Sequence, residues 1–258
     1  MKTRTTPKIA AGLAAVVAAA GLAACGGGGD STAGADQSGS ALPQGSEPVK
    51  IDPAEFTTHI DNPYWPMKPG SRWVYRELNV EDLSAEHVVV TVTNRTKRMA
   101  NGVEARVVRD IVSEHGVPTE VTSDYYAQDA AGNIWYMGED TAEYANGKVK
   151  TREGSFEAGA DGAQPGIALP ADPKPGLSYR QEYKAGEAED QGQVVSVDEQ
   201  VESPFGHFRG ALMTKDTNPL EPKVTEFKFY ARDVGPVTTV GVSGGSKFEE
   251  LLSYTPGS

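Results

Sequence analysis

Four acidic side chains follow an aromatic pair near the middle of the chain, and these residues are the ones most suited to chemistry. Two carboxyl groups beside an aromatic platform suit a sugar-binding site, or the acid and base of a glycosidase. Carboxylate oxygens also suit Ca²⁺, although the spacing of a calcium-binding loop is absent. The alternative is a solvated acidic loop whose aromatic rings pack on the domain. The candidate ligand-binding residues are Trp135, Tyr136, Glu139, Asp140, Glu157 and Asp161.

The histidines form no comparable group. The sequence contains 4 histidines, and no two of them have the spacing of metal ligands. It also lacks the H-E-x-x-H, G-x-S-x-G and phosphate-loop motifs. A nucleophile, base and acid brought together only by the fold stays open. Motifs therefore predict no catalytic residue, no metal and no cofactor, and we expect solvated or turn-capping histidines at His59, His87, His115 and His207.

The single cysteine offers a different chemistry, the attachment of lipid. Residues 1–8 contain three basic side chains and no acid, and residues 9–22 consist only of Ala, Gly, Val, Leu and Ile. This pattern is typical of a signal peptide, and it is too short for a membrane-spanning helix, which needs about 20 apolar residues. Because Cys25 is the only cysteine, no intramolecular disulfide can form.

The residues before Cys25 are Leu-Ala-Ala, and this ending resembles the lipobox of bacterial lipoprotein precursors. The resemblance implies that residues 1–24 are removed and that the Cys25 sulfur carries a diacylglycerol with fatty acyl chains such as palmitate. A secretory signal with a chance cysteine is the alternative. Two or more acyl chains anchor a protein stably. We therefore expect an extracytoplasmic protein held at the outer face of the plasma membrane, or at an outer membrane where one exists.

Composition separates a tether from a domain. Residues 25–48 are rich in Gly and Ser and contain no aromatic side chain, so they are predicted to form a flexible linker, and residues 49–258 a folded domain. The chain has 24 basic and 36 acidic residues; loss of the signal peptide removes three bases, which gives a net charge of −15. This charge argues against binding to nucleic acid and against a domain lying flat on anionic lipid.

The elements that position these residues are predicted to be strands. Beyond residue 70 apolar and polar side chains alternate with a period of two, as in antiparallel sheets. Trp73 and Tyr75 fall on one face of such a strand, and Arg72 and Arg76 fall on the other. We therefore predict an all-β fold, a large curved antiparallel sheet or half-barrel.

Turn signals divide the strands. Asn-Gly pairs at 101–102 and 146–147 indicate type I′ hairpin turns, in which both central residues have positive φ. One short helical turn is predicted near residues 52–59, with Asp52 as its cap and Pro53 at its first position.

The sequence also contains an internal repeat. Lys-Pro-Gly at 68–70 recurs at 174–176, and Tyr-Ala-x-Asp at 126–129 recurs at 230–233. We interpret residues 68–137 and 174–242 as two tandem meander modules, although chance resemblance between β-rich segments is the alternative. Residues 138–173 are then an insert loop without a counterpart, which carries all four acidic candidates. Long loops in compact domains are usually functional or disordered.

Two motifs carry a family resemblance. Pro-Gly followed by Trp-x-Tyr at 69–75, and Tyr-Ala-x-x-Val-Gly-x-Val at 230–237, resemble a broad group of uncharacterised bacterial envelope proteins. The segment 60–70 resembles the opening of one lipoprotein subgroup within it. The resemblance implies a large, curved antiparallel sheet, and it implies no reaction.

The sequence thus favours a lipid-anchored, non-enzymatic β domain that binds a ligand or a partner at the cell envelope. Its partners would be the membrane, through Cys25, and an apolar small molecule or an envelope protein, but not nucleic acid. An envelope hydrolase acting on glycans through Glu139, Asp140 or Glu157 is the alternative function. A purely structural envelope protein is a third hypothesis. Asn62-Pro63 and Trp65-Pro66 enforce extended backbone, so this segment is expected to cover the mouth or edge of the sheet.

Overall fold

A computed structural model describes residues 42–80, 82–244 and 247–258. Cys25, the predicted signal peptide and most of the predicted linker lie outside these ranges. The described residues form one 3-10 helix, Pro53–Glu55, and one antiparallel sheet of 16 strands, which confirms the predicted all-β class. The strands are β1 (Phe56–Thr57), β2 (Arg72–Asn79), β3 (Ala85–Arg98), β4 (Glu104–Glu114), β5 (Val117–Asp129), β6 (Ile134–Ala145), β7 (Lys148–Thr151), β8 (Phe156–Glu157), β9 (Gln164–Leu169), β10 (Ser178–Arg180), β11 (Glu182–Tyr183), β12 (Gln191–Ser203), β13 (Gly206–Thr217), β14 (Thr225–Ala231), β15 (Gly235–Ser243) and β16 (Lys247–Thr255).

The sheet curls until its two ends meet. Its hydrogen-bonded neighbours follow the order β10-β12-β13-β14-β15-β16-β2-β3-β4-β5-β6-β9-β11. The first and last strands of this order, β10 and β11, are separated in the chain only by Gln181. The large antiparallel sheet is therefore nearly closed. The short strands β1, β7 and β8 pair at its side with β5 or β6.

The segment between β1 and β2 fills the interior of the sheet at one end. Ile60, Tyr64 and Met67 are each no more than 3% exposed. The Gln128 side-chain oxygen accepts hydrogen bonds from two consecutive backbone N–H groups of this segment, both at 3.0 Å. The sequence suggests a cover over the mouth or edge of the sheet, whereas the segment is packed within the sheet as a plug.

In strand β2 the alternation of the sequence corresponds to an inner face and an outer face. Trp73 and Tyr75 are buried inside the sheet, whereas Arg72 and Arg76 are exposed, as the alternation predicts. The Trp73 indole Nε1 donates to the Val234 carbonyl at 2.7 Å, and the Tyr75 hydroxyl donates to the Pro236 carbonyl at 3.0 Å. The Trp-x-Tyr and Val-Gly-x-Val motifs of the sequence are therefore in direct contact.

The residue between these two carbonyls must be glycine, because a side chain would not fit there. Gly235 has a φ of +107°, and a Cβ placed there would lie 2.8 Å from Cδ1 of Trp65. A side chain at this position would meet both a left-handed backbone and the plug. Gly235 thus allows β15 to approach Trp65 and Trp73 closely.

The predicted turns are present, with one difference in type. Asn146 and Gly147 both have positive φ, 52° and 72°, as a type I′ hairpin requires. At 101–102 only Gly102 has positive φ, because the turn is longer: Met99 N donates to the Val103 carbonyl at 2.8 Å. The short helical turn begins as predicted, with the Asp52 carboxylate accepting from Ala54 N at 3.0 Å.

The two Lys-Pro-Gly turns have matching geometry. Gly70 and Gly176 both have a φ of +89°. Gly70 N donates to the Val92 carbonyl at 2.8 Å, and Gly176 N donates to the Val194 carbonyl at 2.9 Å. Each turn leads into a meander: β2 to β6 after the first, and β10 with β12 to β15 after the second.

The insert 138–173 is not the long loop that the sequence suggests. It contains the second half of β6 and the strands β7, β8 and β9, so most of it belongs to the sheet. The Asn146-Gly147 hairpin returns the chain along β6, which keeps the backbone hydrogen-bonded instead of leaving it as a loop.

The last residues of the predicted linker lie against the domain. Pro43 is buried, and its carbonyl accepts from Arg180 N at 2.7 Å. The Arg180 guanidinium, only 1% exposed, donates to the carbonyls of Gly45 at 2.9 Å and Glu47 at 2.8 Å. These two bonds come from Nη1, and Nη2 of the same guanidinium donates to the Pro165 carbonyl at 2.9 Å. The packed domain therefore includes residues 42–48, which composition alone assigns to the linker.

Candidate functional site

The structure separates the six residues proposed from the sequence. Tyr136 and Glu139 lie together in the interior of the sheet, 9% and 4% exposed. Trp135 points to the other side of β6, where its ring packs edge-on against Phe56 at 5.7 Å. Its indole Nε1 donates to the Asp129 carboxylate at 2.7 Å. Trp135 is therefore held by Phe56 and Asp129, apart from Tyr136 and Glu139.

The other three acidic candidates lie outside the interior. Asp140 is exposed and forms an ion pair with Arg152 at 2.6 Å. Glu157 forms an ion pair with Lys97 at 2.9 Å. Asp161 is exposed in a turn, with a φ of 50°. The expected convergence of these carboxylates with Glu139 on one loop is therefore absent, because the segment is folded into strands that alternate between two faces.

A bulge in β6 explains why Tyr136 and Glu139 share a face. Residues three apart in a regular strand point to opposite faces. Here Gly138 pairs with Tyr125 and Tyr136 pairs with Tyr126, so Met137 is an extra residue in β6. Gly138 has a φ of +137°, and a Cβ there would clash with the backbone of Phe156. The bulge shifts the alternation by one residue and turns Glu139 inward.

The interior contains a cavity of about 170 Å³ beyond the plug. Its base is formed by four aromatic residues in mutual contact, which we call the aromatic floor: Trp65, Tyr126, Tyr136 and Tyr230. The Trp65 ring lies 5.4 Å from the Tyr126 ring and 6.0 Å from the Tyr230 ring, and the Tyr126 and Tyr136 rings stack at 5.0 Å. Several lining residues keep partial solvent exposure, among them Tyr126 and Lys228, so the cavity is open to solvent.

Six carboxyl groups from six different strands line the same cavity. We call them the acidic wall: Glu77, Asp110, Asp124, Glu182, Glu226 and Glu249. Two lysines also line the cavity, and both already have anionic partners. Lys247 pairs with Glu77 at 2.6 Å, and Lys228 pairs with Asp216 at 2.9 Å. Acidic groups therefore outnumber the basic groups that could neutralise them.

Burial weakens the acidity of this wall. Burial raises the pKa of Asp124 and of Glu249 to about 7, because the charged form loses hydration. Burial and the neighbouring Asp124 raise the pKa of Asp110 well above its usual value. Burial, with Asp190 and Glu139 nearby, does the same to the pKa of Glu182. Part of the acidic wall is therefore protonated at neutral pH.

The Tyr136 hydroxyl contacts two carboxyl groups, those of Asp124 and Glu139. It lies 2.9 Å from Asp124 Oδ1 and 2.9 Å from Glu139 Oε2. A hydroxyl has one hydrogen to donate. One of the two carboxyl groups must therefore carry its own proton and donate it to the tyrosine oxygen. Burial and the Asp124 charge raise the pKa of Glu139 well above its usual value, which favours Glu139 as the protonated partner.

Two oxygens of the acidic wall have no hydrogen-bond partner within the described ranges. They are Oε1 of Glu182 and Oδ1 of Asp110. The Glu182 side chain is also almost completely buried, with 1% of the residue exposed. A buried polar atom without a partner is destabilising, and such atoms are rare in folded proteins.

Among the residues that the structure describes, no histidine lines the cavity. Within the described residues, no three His, Cys, Asp or Glu side chains are placed to hold a metal ion. All four histidines are exposed. In the part of the chain that the structure describes, no helix has the length and apolar character needed to cross a membrane.

Sequence reasoning misses all six residues of the acidic wall, although a signal is present. In several strands an apolar or aromatic residue on the inner face is followed, or preceded, two positions away by a charged one. Tyr75 with Glu77, Val108 with Asp110, and Lys228 with Tyr230 are examples. Continuing the inward face past the last apolar residue places these charges inside the sheet.

Comparison with known proteins gives two distant structural likenesses. A structure from Bacteroides fragilis described as a "putative exported protein with YmcC-like fold" is 13% identical and aligns over 76% of this chain and 100% of its own, with a TM-score of 0.42. A "putative lipoprotein" from Parabacteroides distasonis is 11% identical over 74% of this chain and 98% of its own, with a TM-score of 0.39. No family model and no curated protein matches the chain. Both scores are below 0.5, so the functional argument depends on the chain's own residues.

Proposed function

We propose that this chain is a lipid-anchored protein of the bacterial envelope whose β domain binds a small molecule in the cavity above the aromatic floor, without catalysing a reaction. The observation that carries the proposal is the cavity itself, about 170 Å³ within the curled sheet. Binding sites are typically concave, mostly apolar and lined by a few polar groups. The aromatic floor and the acidic wall provide this combination.

Filling the cavity tests the binding site. Val108 lines the cavity and is 2% exposed, so Val108→Phe places a ring in the space that a ligand would use. We expect this change to weaken binding of any cavity ligand by roughly tenfold or more, because overlap with the ligand costs well over 1.4 kcal/mol. The measurement is ligand-observed NMR with a panel of charged and uncharged fragments. The protein is the mature chain carrying Cys25→Ser.

The matched control is Val117→Phe, which adds the same ring at a position that is 59% exposed. The control should bind as the parent chain does. If no fragment of the panel binds, or if Val108→Phe binds every fragment as well as the control, the proposed site is wrong. Thermal melting of both variants shows whether either has lost its fold.

The anchor is proposed from the sequence. A basic start, an apolar run and Leu-Ala-Ala before the only cysteine support lipid attachment at Cys25. We expect Cys25→Ser to abolish incorporation of radiolabelled palmitate and to move the protein from the membrane fraction to the soluble fraction. The control is Ser38→Ala, in the same Gly/Ser-rich segment, which should be labelled as the parent chain is. Unchanged labelling of Cys25→Ser would contradict the proposed anchor.

The proposed duplication is supported by geometry. The two Lys-Pro-Gly turns share φ values and hydrogen bonds, and both lead into meanders. The register of β5 with β6 shifts at Tyr126, and the register of β14 with β15 shifts at Tyr230, the matching residue of the second copy. We therefore retain the two tandem modules as part of the proposal.

The glycan hydrolase is not retained as a second candidate. Its three suggested acids lie in three different surroundings: Glu139 is buried behind Tyr136, Asp140 pairs with Arg152, and Glu157 pairs with Lys97. None of these three carboxyl groups lines the cavity.

A further inference from the structure

We propose that the cavity recognises a small organic cation, an alkyl ammonium compound held between the acidic wall and the aromatic floor. This inference rests on the proposed binding function and specifies the class of its ligand. It is carried by three observations: the charge of the lining, the unpartnered buried carboxyl oxygens, and the aromatic rings that line the same cavity.

The first observation is charge. Six carboxyl groups and two lysines line the cavity, and each lysine is already within 3 Å of a carboxylate. Among the described residues, no ion pair involves Asp110, Asp124 or Glu182. The lining therefore favours cationic over anionic ligands: its ionised carboxyl groups attract a cation, and its protonated carboxyl groups become ionised when a cation displaces their protons.

The second observation is the unpartnered oxygens. Oε1 of Glu182 and Oδ1 of Asp110 are buried, belong to residues that line the cavity, and have no donor among the residues that the structure describes. An ammonium group has hydrogen-bond donors and no acceptor, so it matches these oxygens. A hydrogen bond between a charged donor and a carboxylate is also stronger than one between neutral groups.

The third observation is the aromatic floor. Trp65, Tyr126 and Tyr136 line the cavity through contacting rings, and the carboxyl groups of the acidic wall line the same cavity. The face of an aromatic ring attracts a cation positioned over it. The same rings also bury the alkyl part of a small amine.

The volume limits the size of the ligand. A cavity of about 150 Å³ is known to hold benzene, which has six non-hydrogen atoms. The 170 Å³ cavity therefore suits a ligand of similar size. The probe that we select is 1,4-diaminobutane, and its neutral counterpart of the same length is 1,4-butanediol.

Binding of a cation should release protons. Burial raises the pKa of the Asp110 and Glu182 carboxyl groups, which favours their protonated forms while no ligand is bound. An ammonium group stabilises the carboxylate form, so the carboxyl proton leaves to solvent when the ligand binds. The titratable groups that face these two residues are Glu77, Glu120, Asp124, Glu139, Asp190, Lys228 and Glu249, with the tyrosines Tyr75, Tyr126 and Tyr136. Affinity should therefore increase from pH 6 to pH 8, by about tenfold for each proton released per pH unit.

Calorimetric titration of the mature Cys25→Ser chain tests the inference. We expect 1,4-diaminobutane to bind and 1,4-butanediol not to bind. Glu182→Gln keeps the size of the side chain and removes its charge, and it should weaken diamine binding by about 10- to 100-fold. Asp161→Asn removes an exposed carboxylate at a turn position that asparagine tolerates, so it should have no effect.

Each other outcome has a definite meaning. If the diol binds as well as the diamine, or if Glu182→Gln and Asp161→Asn bind alike, the cation inference is overturned while the proposed binding site stands. The inference is also overturned if the diamine fails to bind at about 10 mM but a neutral fragment binds and loses affinity in Val108→Phe. If neither the diamine nor any fragment binds, both proposals fail. The pH dependence is measured on the Cys25→Ser chain alone, so it does not depend on the folding of the cavity variants.

Discussion

Trp73→Ala is expected to lower the free energy of unfolding by about 3–5 kcal/mol, the usual range for removing a large buried aromatic side chain. Trp73 is 1% exposed and stacks on Tyr254 with ring centroids 5.1 Å apart. Its indole Nε1 also donates to the Val234 carbonyl at 2.7 Å. The substitution therefore opens a cavity and removes a hydrogen bond between β2 and the segment before β15. Urea denaturation monitored by circular dichroism measures the effect.

Two further variants separate these contributions. Trp73→Phe keeps an aromatic ring but leaves the Val234 carbonyl without its donor, and should cost about 1–3 kcal/mol. Val117→Ala, at an exposed position, should change stability by less than about 0.5 kcal/mol. If Trp73→Ala lowers the free energy of unfolding no more than Val117→Ala does, the contact between the two motifs does not stabilise the domain.

The domain is expected to become less stable as the pH rises from 5 to 7. The groups responsible are Glu120, Asp124 and Glu249, whose pKa values burial raises to about 7. Between the unfolded and folded pKa values, the native state holds protons that the unfolded state has released, so raising the pH favours unfolding. This contribution is complete below the unfolded pKa and is lost as the pH rises through 7. One such proton corresponds to about 1.4 kcal/mol per pH unit.

Urea denaturation at pH 5, 6, 7 and 8 measures this slope. Glu249→Gln should make it shallower by about one proton, since the amide does not titrate. Glu153→Gln alters an exposed carboxylate and should leave the slope unchanged. The opposite shift, a pKa lowered mainly by backbone hydrogen bonds, occurs at the exposed Glu47 and acts only at more acid pH. Stability that rises steadily from pH 5 to 7 would show that the acidic wall is solvated in solution.

The strands could be predicted from sequence because burial on one face produces a visible alternation. Trp73 and Tyr75 follow that rule, and the Asn146-Gly147 hairpin follows from the local chemistry that permits positive φ. The class of fold depends on many such local signals, which add up along the chain.

The cavity could not be predicted in the same way. The alternation can place a charge such as Asp110 on the inner face of its own strand, but it does not show that charges from different strands meet. Glu182 and Asp110 become neighbours of one cavity only because the sheet closes, and closure is a long-range property. The sequence favours Glu139 for its place in a supposed loop, whereas the bulge at Met137 is what turns it inward.

The hydrogen bonds of Arg180 to residues 43–47 also have a mechanical consequence. The Arg180 backbone N–H and guanidinium hold residues 43–47 against β10, and the guanidinium also binds the Pro165 carbonyl of β9, so a pull on the amino-terminal side of the domain is first resisted at these hydrogen bonds. Glu182, which lines the cavity and has an unpartnered oxygen among the described residues, is two residues further along the chain. Tension on the proposed anchor at Cys25 would therefore reach the wall of the cavity through a very short length of chain. The same force would act on the contacts of Arg180 and on the ligand site.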